Sequence, residues 1–290
     1  MGVIFVVLVG LWGRAGNTEL LPMFNEKDVI YRYKYLPFNE GSLKTLTDGT
    51  IKFTCPLDLN DPFDCLPYYD TSNINQLAKL RPDLYKAAGD RKGLSPAKRI
   101  QGKSQWIAGI KQGMDSGEFA KNLIRHVGIV SLTRNPFSVP MWSHYADFHR
   151  GFVLEFRVPI RSKESINAVA FLVPLEVKYQ ANRPTVHVGT TPDDLVKKTV
   201  LTKSLDWEYE CEERVIDQFR GSGIYQYSRN EILTSVIAGL RMSPDNFQML
   251  QHIVNELAHS NIPNLKLYKV EEKHNEYKLI VNEHPRLSKN

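Results

Sequence analysis

The chain crowds Glu208, Glu210, Glu212 and Glu213 into six residues, with Lys203 before them and Arg214 after. On a strand, Glu208, Glu210 and Glu212 share one face, because side chains alternate with period two. Three carboxylates so placed repel one another unless Lys203 or Arg214 pairs with them, and such crowding raises a carboxylate pKa. The group is either an ion-pair ladder or an active acid with a ribose anchor. A second group, Asn60-Asp61-Pro62-Phe63-Asp64, puts two carboxylates and an amide beside a proline. Asn and Asp bond back to local backbone, so this is either a tightly held loop or a rigid polar rim of Asn60, Asp61, Lys203 and Arg214 that orients a ligand.

A third group gathers Trp142, His144, Tyr145, His149 and Arg150. On a helix, Tyr145 and His149 are i and i+4 and share a face, with Trp142 one turn before Tyr145. Aromatic faces stack on a planar ring and Arg holds a phosphate bidentately, so the group suits a nucleotide. The alternative makes Trp142 and Tyr145 core anchors. His144 and His149 are i and i+5, which is not the spacing that sets two metal ligands on one helical face, and no metal is expected.

Elements that must position these groups follow from period and turn signals. Val29 to Tyr33 reads as a strand, Asn39 to Leu46 as a short helix capped by Asn39, and Thr50 to Thr54 as a strand after the Asp48-Gly49 turn. Residues 71–126 are polar and glycine-dotted, with helical spacings at Leu77, Leu80 and Leu84, and read as an insertion of two or three helices. Strands follow at Gly128 to Thr133, Gly151 to Val158, Val169 to Val177, Glu212 to Phe219 and Ser235 to Gly239. Met141 to His149 reads as a helix, as do the segment from Asp193 and the amphipathic run Pro244 to His259. Lys266 to Val270 and Tyr277 to Val281 close as paired strands. Without a regular βα alternation, the fold is α+β with a mixed, mostly antiparallel sheet. The organisation expected is one domain over 29–281, a helical insertion at 71–126, and a tail over 282–290.

Composition narrows the class. The 290 residues are 42% hydrophobic and 24% charged, ordinary globular usage that excludes disorder and a multi-span membrane protein. Net charge is +5 with no run of five like charges, so a dedicated nucleic-acid stripe is absent. Three cysteines, Cys55, Cys65 and Cys211, without a CxxC pair argue against a disulfide framework and for a cytoplasmic setting. Val3 to Val9 are apolar but too short to span a bilayer, and no Lys or Arg precedes them. Translation from Met23 is the simpler reading, which makes residues 1–22 extraneous.

Several segments together resemble the bacterial family catalogued as domain of unknown function 2971. They are Tyr31-Arg32-Tyr33, Asn60 to Asp64, Met141 to Asp147 with His149 to Phe152, Arg183-Pro184, Lys203, Trp207 to Arg214, Ile237 to Gly239, and Glu276-Tyr277. The resemblance runs in family order over residues 29–281 and names no reaction. A more distant similarity is to the ADP-ribosyltransferases, which place an Arg or His on a first strand, a Ser/Thr strand motif, and a late Glu-x-Glu. Arg32, Ser131-Leu132-Thr133 and Glu210-Cys211-Glu212 stand in that order. That resemblance implies a split sheet and NAD as substrate. It further implies Arg32 on a phosphate, Ser131 and Thr133 behind the nicotinamide, and Glu212 with Glu210 at the ribose, where positive charge develops as the base leaves. It departs from the pattern at Arg134-Asn135-Pro136, which follows the Ser-x-Thr strand directly.

Three readings follow. One is an NAD-consuming transferase or glycohydrolase, acting on a nucleotide with a protein or nucleic-acid acceptor, in the manner of a toxin or defence effector. The second is a metal-dependent nuclease or other phosphoesterase built on Asp61, Asp64, Glu210 and Glu212. The third is a non-catalytic binding module for a ligand or nucleic acid. If residues 1–22 are extraneous, their deletion leaves the melting temperature unchanged. A drop of several degrees shows that Val3 to Leu11 pack into the core.

Overall fold

A computed structural model describes residues 28–160 and 167–288. The expected extension at 1–22 and the start at Met23 lie outside the described residues. The chain opens with β1 (Val29–Leu36), α1 (Glu40–Thr47), β2 (Thr50–Phe53) and β3 (Tyr68–Asp70). Asn39 caps α1 by accepting from Ser42 N–H, as its place before the apolar spacing requires. The insertion holds five helices rather than two or three: α2 (Leu77–Leu80), α3 (Pro82–Arg91), α4 (Pro96–Gln101), α5 (Lys103–Asp115) and α6 (Glu118–Ile124). Pro82, Pro96 and the left-handed Gly117 divide them, each marking a helix start.

Next come β4 (Gly128–Thr133), α7 (Val139–Tyr145), β5 (Phe152–Pro159), β6 (Leu175–Glu176), β7 (Lys178–Gln180) and β8 (Thr185–His187). After them follow α8 (Pro192–Val200), β9 (Thr202–Ser204), β10 (Glu212–Asp217), β11 (Gly223–Gln226), α9 (Arg229–Ile232) and β12 (Leu233–Ala238). The chain closes with α10 (Pro244–Ser260), β13 (Lys266–Glu272) and β14 (Leu279–Val281). The long strand expected over 169–177 shrinks to β6, because residues 168–172 form turns.

Eight strands make the main sheet in the order β14-β13-β12-β5-β1-β4-β10-β6. Only β12 and β13 run parallel in it, so the α+β class with a mostly antiparallel sheet holds. β1 follows β5 along its whole length but meets β4 through the single pair Tyr33↔Thr133. One face of the sheet carries Leu132, Leu154, Phe156 and Val215 and packs against α1 and α10 through Leu46, Leu250 and Val254. The other face carries two apolar clusters. Tyr35, Val153 and Ile237 hold the wholly buried Trp142 of α7, and Ile129 holds Ala120, Leu123 and Ile124 of α6. No described helix is long and apolar enough to cross a membrane.

The stretch expected as a tail over 282–290 is instead bonded to the sheet as far as residue 288. Glu155, a lone acid in the apolar β5, is wholly buried. It accepts from Tyr33 Oη at 3.1 Å, Thr234 Oγ1 at 2.8 Å and Ser235 Oγ at 2.7 Å, and it pairs with Arg286 and with His284 Nε2 at 3.4 Å. Arg286 also lies over the Tyr31 ring, 3.5 Å from its centroid. Burial would raise the Glu155 pKa, but the His284, Arg286 and Ser235 hydrogen bonds outweigh it and hold it at about 2.

Gly151 leads into β5 where backbones cross closely. A Cβ there would stand 2.1 Å from the Leu36 carbonyl oxygen and 3.0 Å from that of Ala146. Gly151→Ala is therefore expected to destabilise the fold by about 3 kcal/mol, read by chemical denaturation. A wild-type midpoint would refute this packing.

Candidate functional site

The acidic segment is not one strand. Leu205–Glu210 winds into a 3-10 helix capped by Ser204, which accepts from Asp206 N–H. Cys211 then takes a left-handed conformation at φ 45°, and β10 begins at Glu212. Glu208 is exposed, while Glu210 and Glu212 are buried. Period-two alternation therefore does not bring Glu210 and Glu212 together; the kink at Cys211 and the cation between them do. Thr133 fixes the kink, donating to the Glu210 carbonyl oxygen at 2.6 Å and accepting from Asn135 N–H. Tyr179 Oη accepts from Glu212 N–H at 2.7 Å, a contact that sequence spacing gave no sign of.

At the centre lies an ion cluster that is almost dry. Arg214 is wholly buried. Its guanidinium takes Asp64 with two bonds of 3.0 and 2.5 Å, Glu212 with two of 2.9 Å, and the Val200 carbonyl oxygen at 2.9 Å. Lys203 Nζ stands 2.5 Å from Glu210, 3.2 Å from Glu212 and 3.7 Å from Asp64. Lys203 and Arg214, expected on a polar rim, are thus interior groups. Lys203 occupies the point where three carboxylates converge, so the cluster carries its own counter-ions. Among the described residues, no group of three or more His, Cys, Asp or Glu is arranged to hold a metal ion.

Glu210 links this interior to the surface. Its Oε1 accepts from Tyr145 Oη at 2.6 Å, and Tyr145 Oη accepts from Asn60 Nδ2 at 2.9 Å. Tyr145 is half-buried and Asn60 exposed. Burial pushes the Glu210 carboxyl above its ordinary value, against the pull of Lys203 and the Tyr145 hydrogen bond. Burial also acts on Glu212, but Arg214 and Lys203 overcome it and hold Glu212 at about 2. Burial opposes the Lys203 charge, while Glu212 and Glu210 keep its pKa above the ordinary lysine value. Asp61 is buried beside this loop, accepting from Phe63 N–H with one oxygen and leaving the other unpartnered.

The aromatic group is split. α7 stops at Tyr145, and Asp147, Phe148 and His149 all have positive φ. Tyr145 and His149 therefore share no helical face. Trp142 is no platform: it is wholly buried, donates to the Pro136 carbonyl oxygen and meets Tyr35 edge-on. His149 stacks on Trp142 with 6.2 Å between centroids, and burial lowers its pKa. Arg150 is exposed and bonded to Asp147. His144 alone remains beside Tyr145, exposed and 6.2 Å away between ring centroids.

Arg32 does not join the site. It holds Glu213 with bonds of 2.5 and 2.7 Å. Neighbouring strand residues face opposite ways, so Glu213 and Arg32 lie on the face opposite Glu212 and Arg214. Ser131, opposite Arg214 in the register, does lie on the Glu212 face and helps to hold the Glu212 pKa down. The convergence of Arg32 with Glu212 that the ADP-ribosyltransferase resemblance implies is not formed.

Glu212→Gln should cost about 3–5 kcal/mol, because it leaves buried Arg214 short of an anion. Glu210→Gln should leave stability nearly unchanged, since it removes the carboxylate that burial disfavours. Equal losses in urea denaturation would contradict this division. Glu212 and Glu155 both have depressed values, so their stabilisation is complete above the ordinary glutamate range of ~4.3 and is lost as pH falls toward about 2. Acid unfolding should accordingly begin below about pH 4.

No curated protein and no solved structure matches the chain. Residues 141–215, from α7 to β10 and including Tyr145, Lys203, Glu210, Glu212 and Arg214, match the family model described as Protein of unknown function (DUF2971).

Proposed function

We propose that the chain is an enzyme that breaks the glycosidic bond of a nucleotide, with NAD the first substrate to try. The reading rests on one observation, the hydrogen bond from half-buried Tyr145 to buried Glu210. A base works best when its pKa lies near the operating pH, and burial moves Glu210 in that direction. Tyr145 gives its proton to Glu210 and accepts from Asn60, which leaves one lone pair for a water or another nucleophile. In the reaction, the nucleophile's proton passes to Tyr145 as the Tyr145 proton passes to Glu210 Oε1. The nucleophile's oxygen bonds to the anomeric carbon, and the carbon–nitrogen bond breaks with its electron pair going to the departing base. From NAD the departing base is neutral nicotinamide. Water as nucleophile gives glycohydrolysis; a protein or nucleic-acid group gives ADP-ribosyl transfer.

Glu210 replaces Glu212 as the reacting carboxylate here, because Glu212 is held by Arg214 and Lys203 in the interior. Three unpaired thiols, Cys55, Cys65 and Cys211, favour a cytoplasmic site for this chemistry.

The test is incubation with NAD and a panel of nucleosides and nucleotides, with chromatography for the freed base. Release is expected, and Glu210→Gln should abolish it. Tyr145→Phe should keep the fold within ~1 kcal/mol and lower turnover about 10²-fold. No base released from any panel member would sink the reading.

A further inference from the structure

The geometry points to a stacking platform formed by Trp207, Tyr209 and His144 that receives the planar heterocyclic base of a nucleotide. This inference rests on the acid–base reading of Tyr145 and Glu210 and adds the part of the substrate that the pair does not touch.

Trp207 is half-buried in the 3-10 helix that ends at Glu210. Among the described residues it joins none of the apolar clusters, although indole is among the most costly side chains to leave against water. Lys203 Nζ lies 5.0 Å from its ring centroid, which holds the ring in place by a cation–π contact. The same ammonium is 2.5 Å from Glu210, so one group fixes both the indole and the carboxylate. Tyr209 follows at 6.1 Å between centroids and His144 at 6.4 Å from Tyr209, with tilts of 38° and 36°. His144 in turn lies 6.2 Å from Tyr145. The tilts keep the rings from stacking on one another face to face, so they form an arc that leads from Trp207 to the Tyr145 hydroxyl. Tyr209 and Tyr145 have their inner edges against the Trp142 cluster, while His144 is exposed. Such an arc fits an aromatic ligand because every base has a π-face, and base stacking on aromatic side chains needs no hydrogen-bond readout. A base on the arc leaves its ribose toward Tyr145 and Glu210.

The test is calorimetric titration of the full chain with AMP, nicotinamide mononucleotide and ribose 5-phosphate. At least one base-bearing nucleotide should bind, and ribose 5-phosphate, which has no ring to stack, should bind at least about tenfold more weakly. Trp207→Leu should weaken the nucleotide about tenfold or more, and Trp207→Phe, which keeps a π-face, by no more than about threefold. Both variants should melt with the wild type. Equal binding by Trp207→Leu, equal binding of ribose 5-phosphate, or no binding of either nucleotide overturns the platform. Base release with an unchanged KM in Trp207→Leu overturns the platform and leaves the acid–base pair standing. Platform-dependent binding without any base release overturns the acid–base pair alone.

Discussion

Arg214 is a guanidinium with no contact with water, and the site is built around that constraint. A buried charge costs several kcal/mol unless it is paired and its donors are satisfied. Arg214 meets this through Asp64, Glu212 and the Val200 carbonyl oxygen, which brings the 55–67 loop, the end of α8 and the start of β10 to one point. Lys203 adds a second interior cation beside the same carboxylates. Three carboxylates then face two cations, so one is less well neutralised than the others. Geometry makes that one Glu210, which touches Lys203 but not Arg214 and has Tyr145 as its second partner. The structural ions thus leave one carboxyl near the surface with a proton affinity raised by burial.

Rigid elements hold this carboxyl. Thr133 anchors the Glu210 carbonyl, Ser204 caps the 3-10 helix, and Ser138 caps α7 by accepting from Met141 N–H. α7 is in turn pinned through Trp142. Tyr145 is therefore presented from one end of a packed helix and Glu210 from the kinked turn that leads into β10. Of the eight non-glycine residues with positive φ among the described residues, four flank this site: Cys211, Asp147, Phe148 and His149 have left-handed backbone, which costs each of them of order 1 kcal/mol.

Much of the fold was legible in the chain. The Asn39 cap, the Asp48-Gly49 turn, the strands around Tyr31 and Leu154, and the amphipathic α10 all follow from local spacing. The site was legible in its members more than in its arrangement. Glu210, Tyr145, Asn60 and Lys203 stood out by type and do meet. Period arguments failed at Cys211 and at Asp147 to His149, because left-handed residues break both the strand and the helix repeat. Strand parity could separate Glu212 from Glu213, but not say which of them Arg32 would reach. Trp142 looked like a stacking surface because sequence shows a ring's type and not its depth. Trp207, two residues from Tyr209, is half-buried and joins none of the apolar clusters among the described residues.

One ion cluster holds Glu212 ionised and leaves Glu210 a carboxylate with a raised affinity for a proton. Carbon-13 NMR titration of the glutamate side-chain carboxyls, assigned with Glu210→Gln and Glu212→Gln, measures both directly. The Glu210 carboxyl should titrate above the ordinary glutamate range, and the Glu212 carboxyl should stay ionised down to about 2. A Glu210 midpoint at or below the ordinary glutamate value would contradict this, for Tyr145 would then face a carboxylate with no raised affinity for a proton.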